Sequence, residues 1–116
     1  YREQSLLVQE LAENSDCVIV GRSADYILRD KNPLRLFIYA DMESRMERCR
    51  KRAPEQEHFT DKELRRHIQD VDKRRSKYYQ FFTGQTWGEK LNYDLCINTS
   101  GANIEDLVKV IAKLVK

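Results

Sequence analysis

Residues 34–52 read LRLFIYADMESRMERCRKR, and the change of pattern at Asp41 decides the fold class. Residues 34–40 are apolar and rich in aromatic and branched side chains, which predicts a strand. Asp41 then stands where a carboxylate can accept the free amide hydrogens of a helix's first turn, so a helix is expected from there to about Arg52. Two further strands are expected, at residues 17–21 (CVIVG) and residues 93–99 (YDLCINT). No hairpin turn joins any two of them. Helical patterns separate them instead: residues 2–14, residues 23–29 stopped by Asn32-Pro33, a long helix opened by Thr60-Asp-Lys-Glu63, and a last one capped by Asn103. The order α-β-α-β-α-α-β-α predicts an α/β protein with a parallel sheet.

The 116 residues suit a single domain, 1–116, with residues 53–60 (APEQEHFT) expected as a mobile lid loop. No stretch approaches the roughly 20 apolar residues of a membrane span, and no signal-peptide pattern opens the chain. Cys17, Cys49 and Cys96 are an odd set without CxxC spacing, which suggests neither a disulfide framework nor a zinc site. Cys17 and Cys96 sit in strand-like runs and are expected to be buried; the chain reads as reduced and cytoplasmic. His58 and His67 are isolated, so no metal site is expected.

The net charge of +2 conceals an uneven distribution. Residues 45–77 hold 12 of the 21 Lys and Arg against 7 Asp and Glu, so an anionic ligand is drawn to the middle third. Arg45, Arg48 and Arg52 share one helix face by their spacing. Such a run either binds an anion, triphosphate or nucleic acid, or is a solvated face. On the long helix Leu64, Ile68, Val71, Tyr78 and Phe82 mark an apolar seam interrupted by Arg75. A charge there needs a ligand or a partner, and Asp72, three residues earlier, is the available partner. Gly21-Arg22 ends the first strand, where parallel sheets bind ligands, and a guanidinium fork there suits phosphate. Asp25 is placed to accept hydrogen bonds from a base or sugar, or to form a surface pair with Arg22.

Three stretches, CVIVGRSADYIL, RLFIYADMESRMERCRKR and VDKRRSKYYQFFTGQTWGEKLNYDLCINTS, together resemble the cytidylate kinase-like family of P-loop kinases. The resemblance implies a three-layer P-loop kinase-like fold. It also implies ATP-dependent phosphoryl transfer to a nucleoside monophosphate, CMP or dCMP first, with Mg²⁺ accompanying ATP. By the same resemblance Arg22, Asp25 and Asp72 contact the acceptor nucleotide, while Arg48, Arg52 and Arg75 serve the transferring phosphoryl group. Asn98, Thr99 and Ser100 correspond to the loop that skirts the adenine. Typical members carry Asp directly after Gly-Arg, where this chain has Ser23, and Arg where it has Val71. A different small acceptor is therefore an alternative, as is a non-catalytic nucleotide- or RNA-binding module. Small nucleotides are the expected partners, with neither a membrane nor, on the leading reading, nucleic acid. No GxxxxGK[ST] phosphate loop occurs in the chain. The expectation is thus the carboxyl part of a longer enzyme whose central phosphate-loop strand lies between residues 17–21 and 34–40. Those two runs should then stand about 10 Å apart, with residues 34–40 pairing directly with residues 93–99.

Overall fold

The computed structural model of the protein describes residues 2–14, 17–52 and 59–114. Helix α1 (Arg2–Asn14) is followed, after residues 17–20, by a turn in which Gly21, Arg22 and Ser23 all have positive φ (69°, 60° and 55°). Helix α2 (Ala24–Ile27) and a 3₁₀ turn (Arg29–Lys31) lead to strand β1 (Leu36–Tyr39) and helix α3 (Met42–Arg52). Helix α4 (Asp61–Thr83), a 3₁₀ turn (Lys90–Asn92), strand β2 (Leu95–Asn98) and helix α5 (Ile104–Ala112) complete the order.

The predicted caps are present. Asp41 Oδ1 accepts from Ser44 N at 2.7 Å, and Asn103 Oδ1 accepts from Asp106 N at 3.2 Å. Thr60 and Glu63 form a reciprocal capping box, satisfying donors that the first turn of α4 leaves free. Gly84 ends that helix at φ 72°, a conformation that strains any residue with a Cβ. Of the expected lid loop, residues 53–58 lie outside the described residues; Phe59 O accepts from Arg50 Nη2 at 3.1 Å.

Strands β1 and β2 pair in parallel, Leu36 opposite Leu95 and Tyr39 opposite Asn98. This is the predicted adjacency of residues 34–40 and 93–99. It begins where the Asp94 carboxylate accepts from Arg35 N at 2.7 Å and ends where Thr99 N donates to Tyr39 O at 2.7 Å. The third predicted strand is absent. Residues 17–20 take no regular structure, and among the described residues no backbone hydrogen bond joins them to residues 34–40. A strand forms only where a neighbour takes its amides and carbonyls, and among the described residues none pairs with residues 17–20 in this way. Only Ile19 turns inward, against Val8, Ala24 and Leu28. Val18 and Val20 are 94% and 85% exposed, and Cys17 is exposed. Cys96 is exposed as well, although its strand forms as expected.

The buried residues fall into separate groups. Val8, Ala24 and Leu28 join α1 to α2, while Met46, Leu64 and Ile68 join α3 to α4. The predicted seam on α4 holds for its first half only. Past Ile68 the inward residues are Tyr79 and Thr83, 4% and 8% exposed, whereas Tyr78 is exposed. Helix α5 is amphipathic as expected, yet none of its residues is buried by the described chain.

Candidate functional site

Beyond the carboxyl ends of β1 and β2 lies a cleft of about 260 Å³. The sheet places Phe37, Tyr39 and Thr99 on it, α3 supplies Arg45 and Arg48, and α4 supplies Asp72 and Arg75. Trp87 closes one side, edge-on to Phe37 with ring centroids 5.2 Å apart. The Trp87–Gly88 turn approaches closely because position 88 has no side chain. A Cβ there would come within 3.2 Å of Phe37 Cζ, and φ is +82°.

Two polar systems hold the arginines. Arg48 donates through Nη1 to Thr99 Oγ1 at 2.8 Å and through Nη2 to Thr99 O at 2.6 Å. Thr99 Oγ1 in turn donates to Tyr39 O at 3.0 Å, so α3 is tied to the ends of both strands. Asp72 Oδ2 lies 2.6 Å from Arg45 Nη1, and Asp72 Oδ1 lies 3.6 Å from Arg75 Nη1. The second distance is too long for a hydrogen bond, and among the described residues Oδ1 is buried without a hydrogen-bond partner. Three guanidinium groups against one carboxylate leave the cleft cationic, with arginine forks that match phosphate oxygens.

Several predicted site residues meet here: Arg48, Asp72, Arg75 and Thr99. The expectation that Arg75 is a buried interruption of an apolar seam is corrected, since its side chain is 62% exposed and faces the open cleft beside Asp72. Arg52, at the end of α3, is exposed and does not line the cleft. Asn98 and Ser100 flank Thr99 without lining it: Asn98 Oδ1 accepts from Ser100 N at 3.0 Å, and Ser100 Oγ accepts from Asp41 N at 2.7 Å. Arg22 sits elsewhere, on an apolar groove with Leu7, Leu11 and Val18. Asp25 does not pair with Arg22. It accepts from the Tyr79 hydroxyl at 2.7 Å, a contact across 54 residues that sequence spacing does not reveal. Burial first, and Asp25 second, push the Tyr79 hydroxyl well above its ordinary range, and burial likewise raises Tyr93.

Arg45 was visible in the sequence only as part of the basic run; its ion pair with Asp72 is what places it in the cleft. The aromatic wall has a signal of its own in the sequence. Phe37 and Tyr39 at i,i+2 share one face of β1, and the single tryptophan follows in a glycine-containing loop.

A sequence model of the cytidylate kinase-like family matches residues 1–101. Among solved structures, an uncharacterized protein from Eubacterium ventriosum is similar, with a TM-score of 0.82 and 28% sequence identity. The match covers 98% of this chain and 63% of that one, so the residues described correspond to less than two thirds of that structure. No curated protein matches.

Proposed function

The chain belongs to the cytidylate kinase-like family, a family of kinase-like enzymes, and from that premise we propose that its cleft takes part in ATP-dependent phosphoryl transfer to a nucleoside monophosphate, CMP or dCMP first. The observation that carries this reading is the convergence of Arg45, Arg48, Arg75 and Asp72 beyond the carboxyl ends of a parallel strand pair. That is where open α/β sheets bind ligands. In the proposed reaction an acceptor phosphate oxygen attacks the γ-phosphorus, the bond from that phosphorus to the bridging oxygen breaks, and ADP leaves. Arg48 and Arg75 would neutralise charge on the transferring group, Arg48 held in place by its two bonds to Thr99 and Arg75 reaching from the open cleft. Asp72 would orient the arginines and reach the nucleotide. Asn98 and Ser100 would border the adenine, and Arg22 and Asp25 would lie toward the acceptor.

The donor set fits phosphate. Mg²⁺ would accompany ATP with its main ligands outside this chain: among the described residues no three His, Cys, Asp or Glu side chains come together, and Asp72 is engaged by Arg45. No step is therefore assigned to the ion. The three-layer fold, a phosphate-loop strand beside β1 and a cytoplasmic setting belong to the same proposal, which has the complete protein as the active species. Among the described residues no helix is long and apolar enough to cross a membrane.

The test is ATP turnover by the complete protein, followed as ADP release, with each common nucleoside monophosphate offered in turn. CMP or dCMP should give the highest kcat/KM. Preference for another monophosphate would reassign the acceptor, and no acceptor-dependent ADP release would overturn the kinase reading.

A further inference from the structure

We infer that Thr99 is a positioning residue, which fixes the orientation of Arg48 toward an anion in the cleft and does not itself touch the nucleotide. The inference rests on reading the cleft as a phosphate site. Thr99 is 2% exposed, and its hydroxyl has a definite polarity. A guanidinium carries donors only, so Thr99 Oγ1 accepts from Arg48 Nη1, and its single hydrogen goes to Tyr39 O. The side chain that resemblance assigned to the nucleotide is thus turned inward and spent on protein partners.

The consequence falls on Arg48. A guanidinium has five N–H donors, and Thr99 occupies one on each terminal nitrogen. The paired contact, to a hydroxyl and to a carbonyl of the same residue, fixes the plane of the group and leaves its remaining donors for the cleft that Arg48 lines. With the hydroxyl removed, only the bond to Thr99 O remains, and one hydrogen bond leaves the plane free to pivot. Thr99 N still donates to Tyr39 O at 2.7 Å, so the strand register does not depend on the hydroxyl.

The experiment measures binding of inorganic tripolyphosphate to the complete protein by calorimetry. Thr99→Val should weaken binding about tenfold, the loss of one well-placed charge-assisted hydrogen bond. Thr99→Ser should bind within about twofold of the parent, because it keeps the acceptor oxygen. Arg48→Lys should weaken binding at least as much, and adding Thr99→Val to it should cause no further loss, since the two act through one group. Full affinity in Thr99→Val, an additive double variant, or no tripolyphosphate binding by the parent would each overturn the inference. If Thr99→Val does not fold, Thr99→Ser decides: a serine as weak as Arg48→Lys refutes the role of the hydroxyl oxygen. Tripolyphosphate binding that follows this pattern without nucleotide-dependent turnover would refute the kinase reading alone.

Discussion

Asp72 on α4 holds Arg45 on α3 at 2.6 Å through one carboxylate oxygen while its other oxygen stands 3.6 Å from Arg75. One side chain thus joins two helices, holding Arg45 and standing beside Arg75. The pair with Arg45 is about three-quarters buried on both sides, which gives it more weight than a surface pair. Asp72→Asn should therefore lower the complete protein's stability by about 1 kcal/mol in urea unfolding. At low salt it should also raise tripolyphosphate affinity roughly threefold, because a like charge to the ligand is removed. Lower affinity for tripolyphosphate would mean that Asp72 is needed to preorganise the arginines more than it repels the ligand.

Arg75 offers the opposite combination. Its side chain is 62% exposed with one loose contact, so little stability depends on it. Arg75→Met should leave the unfolding free energy in urea within about 0.5 kcal/mol of the parent but reduce phosphoryl transfer at least ~100-fold. Unchanged turnover would make Arg75 a solvated surface residue.

Much of this arrangement was legible in the sequence, and the losses have physical causes. Caps are local, so Asp41, Thr60–Glu63 and Asn103 could be read from neighbouring residues. The pairing of β1 with β2 was expected only through the family resemblance, which sets residues 34–40 beside residues 93–99. The stripe on α4 failed partway for a geometric reason. Leu64, Ile68, Val71, Arg75, Tyr78 and Phe82 follow a 3.5-residue repeat, whereas a straight helix repeats every 3.6 and drifts by ~20° per heptad. By the last turns the inward face has moved on to Tyr79 and Thr83, and it crosses the polar pair Asp72 and Arg75 at the cleft. Residues 17–20 form no strand although an apolar β-branched run favours one, because only a hydrogen-bonded neighbour realises that preference. Long-range contacts such as Tyr79 with Asp25 and Arg48 with Thr99 leave no local mark at all.

The Tyr79 hydroxyl lies between Asp25 Oδ2 at 2.7 Å and Gln85 Oε1 at 2.9 Å. Tyr79→Phe removes the single hydrogen for which these two acceptors compete and should cost about 1–2 kcal/mol in urea unfolding. Its folded pKa is raised above the ordinary 10.0, so the folded state holds the proton more tightly than the unfolded chain. Stability is therefore level below pH 10.0 and falls above it, and Tyr93 acts in the same direction. Tyr79→Phe should flatten that alkaline decline. An identical decline in the variant would assign it to other groups.

At the acid end the sign reverses. The backbone N–H of Arg35, then its side chain, hold the Asp94 carboxyl below its ordinary 3.8, and the Ser44 N–H does the same for Asp41. A depressed carboxyl contributes stability that is present above 3.8 and is lost as pH falls through the lower folded value. The Asp94→Asn variant should lose less stability than the parent between pH 5 and pH 2, although it is the less stable of the two at pH 7. Parallel acid profiles for the two proteins would show that the clamp on Arg35 does not couple to folding.

The last expectation concerns Val18 and Val20, 94% and 85% exposed beside an inward-facing Ile19. Two exposed β-branched side chains on either side of Ile19 are costly in water, and their alternation with Ile19 is that of a strand with both faces used. The similar solved structure contains further chain for which these residues have no counterpart. On the proposed reading of a longer enzyme, additional chain of that kind would cover residues 17–20 in the complete protein. Val20→Asp should then destabilise the complete protein by about 2–4 kcal/mol, from lost apolar burial and a charge taken out of water. Val20→Thr, close in shape and β-branched, should cost about half as much. Urea unfolding of both variants decides the matter. A change below about 0.5 kcal/mol in Val20→Asp is the value for an open surface, and it would mean that the segment stays uncovered in the complete protein.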